Sequence, residues 1–257
     1  MWKSACLAMI LLCLAGPAWP EEGEPIPIPR VKPHRPSTTL SQIIPIPRQK
    51  PIVKPAEPPQ TGGWPDSLVR SEHAACQSLL NNLEIKWTQQ PPLGQQGGCG
   101  APAPIKAASI NGVELVPPAT ITCAMAAALH EWISGAVQPR AKEVLGTSVV
   151  TIHTAASYVC RSRNNVNGAK LSEHAKANAL DMSGFSFAKG KGVSVEDGWG
   201  GLLGNIGLSG GGRFLGSIRL AACKSFTTVL GPGSDPYHGT HFHVDILTRK
   251  GGYRICQ

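Results

Sequence analysis

At 257 residues the chain can form one sizeable domain or two small ones, and its 42% hydrophobic content suits a folded protein. Apart from a short apolar start, no run approaches the roughly 20 residues that cross a bilayer, and no heptad or Gly-X-Y period is sustained. A multi-span membrane protein, a coiled coil and a collagen are therefore excluded. The formal net charge of +8 favours an anionic neighbour, whether nucleic acid, a lipid surface or an acidic cell-wall polymer.

Residues 1–18 read as a secretory signal peptide. Lys3 supplies the positive start, Ala5 to Gly16 is apolar, and Gly16 and Ala18 are the small residues that cleavage after Ala18 requires. The expected destination is periplasmic or secreted. Residues 19–63 read as a Pro-rich, mildly basic spacer. Glu21 to Gln60 holds 11 prolines, and the stretch Pro25-Ile-Pro-Ile-Pro-Arg30 nearly returns as Ile43-Ile-Pro-Ile-Pro-Arg48. Alternating proline forbids a hydrogen-bonded helix and leaves polyproline II as the expectation. Export also governs the cysteines. Six remain in the mature chain: Cys76, Cys99, Cys123, Cys160, Cys223 and Cys256. An even number without a C-x-x-C pair implies three disulfides, with Cys76–Cys99 expected as a local loop and Cys256 tying down the C-terminus.

Residues 64–257 have the composition of one domain. Asp66 to about Asn82 predicts a helix with Leu68, Ala75, Leu79 and Leu80 on one side. Leu83 to Trp87 alternates as a strand, and Asn111-Gly112 between two apolar runs predicts a hairpin within Pro104–Val116. Pro117-Pro118 is expected to open a long helix from Ala119 to Val137, kinked or broken at Pro139 and closed by Gly146. Ser148 to His153 predicts a strand, Gly207 to Gly212 a flexible loop, Arg213 to Phe226 a helix and His241 to Ile246 a last strand. Helices and strands mix without strict alternation, so the expected fold class is α+β around a mostly antiparallel sheet with flanking helices, stapled by disulfides.

Two stretches hold most of the groups able to do chemistry. The first, Ser172 to Asp181, contains His174; the second, His238 to Asp245, contains His241 and His243. On a strand, residues two apart share a face, so His241, His243 and Asp245 would project together. His174 and Asp181 would converge if His174 lies in a loop that feeds the strand carrying Asp181. Two imidazoles and a carboxylate leave a fourth position open, which is how a catalytic zinc is held. Glu173 is read as a solvated surface charge, and His153 and His130 as packing or surface residues.

The spacing of Ser172, His174, Ala179 and Asp181, followed by His241-x-His243, resembles the zinc peptidases of the D-alanyl-D-alanine carboxypeptidase, dipeptidase and murein endopeptidase group, which share a hedgehog-type fold. Over Cys76 to Cys256 the chain resembles the bacterial extensin-like C-terminal domain family, in Gly97-Gly98-Cys99-Gly100, Pro117-Pro118-Ala119, Ser172 to Ala175, Val229 to Gly233 and His241-Phe242-His243. The resemblance implies a Zn2+ held by His174, Asp181 and His243, with His241 beside the bound water and Ser172 and His238 as supporting groups. It implies Arg161 as a holder of substrate carboxylate or oxyanion, with Arg163 as fallback. Two departures stand out: Ala177 replaces a common glycine, and no Glu-x-x-His supplies a carboxylate base, so the base would be His241, or failing that Glu173 or His238.

The implied function is hydrolysis of peptidoglycan peptides, with a wall-binding module lacking turnover as the alternative. The expected partner is peptidoglycan or another anionic wall polymer, with no nucleic acid and no integral span, and the expected state is a monomer. Aromatic residues are only 5% and Lys and Arg are scattered, which disfavours nucleic acid. A literal G-x-S-x-G around Ser209 lacks the preceding strand that a nucleophile elbow needs.

Overall fold

The computed structural model describes residues 63–94, 96–200 and 209–257. The expected signal peptide at 1–18 and the expected spacer at 19–63, save its last residue, lie outside the described residues. Helix α1 spans Asp66–Leu80 and buries Cys76 and Leu80. Strands β1 (Ile85–Gln89), β2 (Ile105–Ile110) and β3 (Val113–Ile121) follow, with β2 and β3 joined at Asn111-Gly112. Both turn residues have positive φ, as this two-residue hairpin demands. Then come α2 (Cys123–Trp132), a π-turn (Ile133–Val137), α3 (Gln138–Leu145) and β4 (Val149–Ala156). After a 3-10 turn at Glu173–Lys176 the chain forms β5 (Ala179–Phe187), β6 (Val193–Ser194), α4 (Val195–Gly200), α5 (Gly210–Ala222), β7 (Thr228–Leu230), β8 (Phe242–Asp245) and β9 (Ile255–Cys256).

The strands form one mixed sheet in the order β1-β2-β3-β4-β5-β8-β7-β9, with β6 on β5. Among the described residues only β3–β4 and β7–β9 run parallel. The fold is thus α+β with a mostly antiparallel sheet. Its largest buried side chains are Trp132, Phe185, Phe214, Phe226 and Phe242. Trp132 meets Phe185 and Phe226 edge-on, and its indole N–H donates to Ile218 O at 2.9 Å inside the core. That bond satisfies the one polar atom the ring would otherwise strand.

Several boundaries differ from expectation. Pro117 and Pro118 lie within β3 rather than opening a helix. They fall opposite a register shift between Ala107 and Ser109 of β2, and beyond the Glu114–Val116 pairing with β4, so no ladder bond is asked of them. The helix starts not at Ala119 but at Cys123, where the Thr122 hydroxyl oxygen accepts the Met125 N–H at 3.3 Å. Pro139 sits in the first turn of α3, just past the π-turn, and Gly146 closes that helix in the left-handed conformation. The expected loop at Gly207 to Gly212 is helical over its described glycines: Ser209 caps α5 by accepting the Gly212 N–H at 2.9 Å. Residues 207 and 208 lie outside the described segments.

The disulfides are Cys76–Cys123, Cys99–Cys160 and Cys223–Cys256. The first joins the buried face of α1 to the first turn of α2, so Cys76–Cys99 is not a local loop. Cys99 instead lies beside the 3-10 turn, since the Gly100 N–H donates to Ala175 O at 2.7 Å, and pairs with the segment leaving β4. Cys256 does tie the C-terminal strand, to the end of α5.

Candidate metal centre

The β5–β8 pair places two opposite chemistries on its two faces. Asp181 pairs with His243 and Met182 with Phe242 in antiparallel register. Leu180, Met182, Phe242 and Val244 turn into the core, so the alternation leaves Asp181, His243 and Asp245 on the other face. His174 arrives from the 3-10 turn that feeds β5. Ser172 caps that turn by accepting the His174 N–H at 3.4 Å, and Ala177 ends it with φ of 56°. Asn178 then carries the chain into β5, its side-chain carbonyl accepting the Thr122 hydroxyl at 2.9 Å.

These elements bring three donor atoms together. His174 Nε2 lies 3.0 Å from Asp181 Oδ1 and 3.1 Å from His243 Nδ1, and His243 Nδ1 lies 2.8 Å from Asp181 Oδ1. A tetrahedral ion bound at about 2.0–2.1 Å holds its ligand atoms about 3.3 Å apart, so the triangle needs to open by only a few tenths of an ångström. The far nitrogens are also engaged. His174 Nδ1 is 2.6 Å from Ser157 O and His243 Nε2 is 3.3 Å from Asp245 Oδ2. Each acceptor can hold a proton on the outer nitrogen, so that a bound metal would find the inner lone pair facing it, which is the arrangement ligating histidines require. All three side chains are buried, and the set can hold a metal ion.

The charges are mutually dependent. Burial works to raise the Asp181 pKa, but hydrogen bonds and charge from His174 and His243 hold it well below the usual carboxylate range. Burial works to lower that of His243, yet Asp181 and Asp245 push it up to about 9. Asp245 is lowered against its own burial by His243 and Thr228. For His241 burial prevails over Asp181, and its pKa falls.

His241 stands beside this cluster rather than in it, with Nε2 3.7 Å from Asp181 Oδ2 and 18% of its side chain exposed. His238 is gripped by Asp235 through Nδ1 at 2.7 and 2.8 Å, and its ring centre lies 5.2 Å from that of His241. Arg161 reaches the cavity beside the donors. Glu173 departs from its reading as a solvated charge: it is 4% exposed, with Oε1 accepting from Lys176 at 2.8 Å and Oε2 from Asn178 at 3.4 Å. A buried carboxylate so bound positions the turn instead of facing water. His153 is part-buried and lies 2.8 Å from Ser186 Oγ. His130 contributes its carbonyl, to Asn111 Nδ2 at 2.9 Å.

Four contributors do not stand out in the sequence. Asp235 was legible as the acid three residues before His238. Thr228 and Arg249 had no signal, because they enter through β7 and the segment after β8. Ser157 contributes only a carbonyl, which no side-chain pattern reveals.

The family model described as "Extensin-like protein C-terminus" matches residues 74–257. No curated protein and no solved structure matches.

Proposed function

The chain belongs to the extensin-like protein C-terminus family, and on that premise we propose that it is an exported cell-wall protein, its domain a zinc-dependent hydrolase of peptidoglycan peptide bonds. The observation that carries the reading is the donor triangle of His174, Asp181 and His243, each histidine backed by its own outer acceptor. Zinc held there would lower the pKa of a bound water toward about 7 and supply hydroxide at neutral pH. Three protein ligands leave the fourth position for that water.

The residues around the triangle have separable tasks. His241, whose pKa burial lowers, is neutral at pH 7 and accepts a proton at Nε2 on the open side of Asp181. His238, oriented by Asp235, lies within 5.2 Å of the His241 ring centre and takes the proton onward to the cavity. Arg161 orients the substrate by charge-assisted hydrogen bonds.

One observation favours the second reading, a wall-binding module without turnover. Every side-chain carboxylate lining the cavity is already engaged: Glu173 by Lys176, Asp235 by His238 and Asp245 by His243. Among the described residues no free side-chain carboxylate stands ready there as a base.

Metal stoichiometry by mass spectrometry on the oxidised full chain tests both, beside a His243→Ala control. One zinc per wild-type chain, lost in the control, followed by release of new termini from isolated wall peptides, supports the hydrolase. Zinc without turnover leaves the binding module. No metal after refolding in excess zinc overturns the metal centre.

A further inference from the structure

His174 reaches the donor triangle from a turn that two other segments hold in place. On one shoulder the Gly100 N–H donates to Ala175 O at 2.7 Å. On the other the Val159 N–H donates to His174 O at 3.3 Å, and the Ser172 N–H donates to Arg161 O at 3.1 Å. The same segment supplies Ser157 O, 2.6 Å from His174 Nδ1. The two shoulders are joined by the Cys99–Cys160 bridge, with Cys99 next to Gly100 and Cys160 next to Val159. One covalent link therefore closes a ring of backbone around a metal donor and the carbonyl that orients it.

Little else gives these shoulders their shape. Residues 99–100 and 157–161 belong to no helix or strand. On the Cys99 side the backbone turns through Gly98 and Gly100 at φ of 83° and 115°. Glycine regains the most conformational freedom when a constraint is released, so the bridge carries much of the order there.

The other two bridges are placed differently. Cys76–Cys123 is buried at both ends and joins two helices. Cys223–Cys256 has an exposed end at Cys256, but β9 is also laddered to β7, with Ile255 N–H donating to Thr227 O and Gln257 N–H to Val229 O, both at 2.9 Å. Among the described residues neither cysteine of that bridge bonds the His174 turn. In the Cys99–Cys160 bridge Cys99 is buried and Cys160 is exposed. Exchange requires an attacking thiolate to reach one sulfur, and Cys160 is the end it reaches.

We propose that Cys99–Cys160 is a thiol-responsive clamp on the turn that carries His174: exchange with a protein dithiol at Cys160 opens it and lowers metal affinity, and reoxidation restores it. The partner's first thiolate attacks Cys160 Sγ, and Cys99 leaves as a thiolate. The partner's second thiolate then displaces Cys160 from the mixed disulfide. Cys99 and Cys160 end protonated as thiols, and the partner, having lost two electrons, ends as a disulfide. The consequence for zinc rests on the reading of the triangle as a metal centre. By linkage, zinc shifts the exchange equilibrium toward the closed bridge by the factor that opening takes from its affinity.

The test treats the full chain with dithiothreitol as the dithiol, alkylates the freed thiols, removes the reductant and then measures zinc affinity against the oxidised chain. Peptide mass analysis shows which cysteines have opened. Cys99 and Cys160 are expected to alkylate first among the six cysteines of residues 64–257, after which zinc binds about 10- to 100-fold more weakly. Cys99→Ala/Cys160→Ala reproduces that loss without reductant, while Cys223→Ala/Cys256→Ala keeps its affinity. Where the first variant fails to fold, the alkylated wild-type chain carries the comparison. Another bridge opening first, all three opening together with unfolding, or an equal fall in the Cys223→Ala/Cys256→Ala control overturns the proposal. Hydrogen exchange on the zinc-free chain supplies a readout independent of metal: opening speeds exchange at the Gly100 and Val159 amides. A chain that takes no zinc in either state but shows that faster exchange fails the hydrolase reading alone. A chain that takes zinc equally well in both states fails this inference alone, and one that takes no zinc and shows unchanged exchange fails both.

Discussion

The two faces of the β5–β8 pair share one backbone and obey different physics. On one face Leu180, Met182, Phe242 and Val244 are at most 1% exposed and stabilise in proportion to the apolar area they remove from water. On the other, Asp181, His243 and Asp245 are comparably buried at 5–8% exposure, and each depends on a specific neighbour. The apolar face tolerates any partner of the right shape. The polar face costs free energy as soon as one member is lost, because the remainder stay buried and unpaired.

Replacing Asp181 by Ala breaks the polar face most completely. It leaves His174 and His243 facing each other without the carboxylate between them, so stoichiometric zinc is lost and stability falls by about 3–5 kcal/mol, measured by metal analysis and urea unfolding. Phe242→Ala is the matching lesion on the apolar face. It destabilises by about 3 kcal/mol through lost burial and a cavity, yet the folded fraction retains its zinc. If both variants lost metal equally, the two faces would not be independent.

Asp245→Asn sharpens the contrast. The residue touches no donor atom, but it orients His243, so zinc affinity falls about 10- to 100-fold with little change in fold. pH separates the faces without mutation. The folded pKa of His243 is raised to about 9, so the zinc-free protein gains stability from its protonation that is full below about 6.5 and lost as pH rises through about 9. Zinc competes with that proton, so metal affinity rises over the same window. A flat zinc affinity from pH 6 to 9 would show that His243 is not protonated in the free protein.

The smallest effect is expected at Ala177. Its left-handed backbone costs about 1–2 kcal/mol for an alanine, while its buried methyl returns about 0.8 kcal/mol, so Ala177→Gly shifts stability by about 1 kcal/mol or less.

Local chemistry made much of this legible in advance. Asn111-Gly112 announced its hairpin because few residues accept positive φ at both positions. His174 and Asp181 stood out through the family resemblance of their spacing taken with His241-x-His243, whose two-residue period is that of a strand. Pro117-Pro118 misled, because a proline pair marks a helix start only when no neighbouring strand excuses its missing N–H groups, and that excuse is a bulge in β2. Glu173 misled likewise: a charge next to a histidine reads as solvated until Lys176 and Asn178 fold back over it.

The chain order of the residues thus determined by itself which types of element form and which residue types could meet, since turn chemistry, capping and strand periodicity act over a few neighbours. Only the tertiary structure decided which cysteines pair, that Ser157 O and Asp245 set the tautomers of the histidines, and that Arg249 stands with Arg161 at one cavity. Those outcomes depend on how elements distant in sequence pack, and at the donor triangle on the register of β5 against β8 and of β7 against β8. Strand register is the collective choice of every side chain on both faces, so no local stretch encodes it.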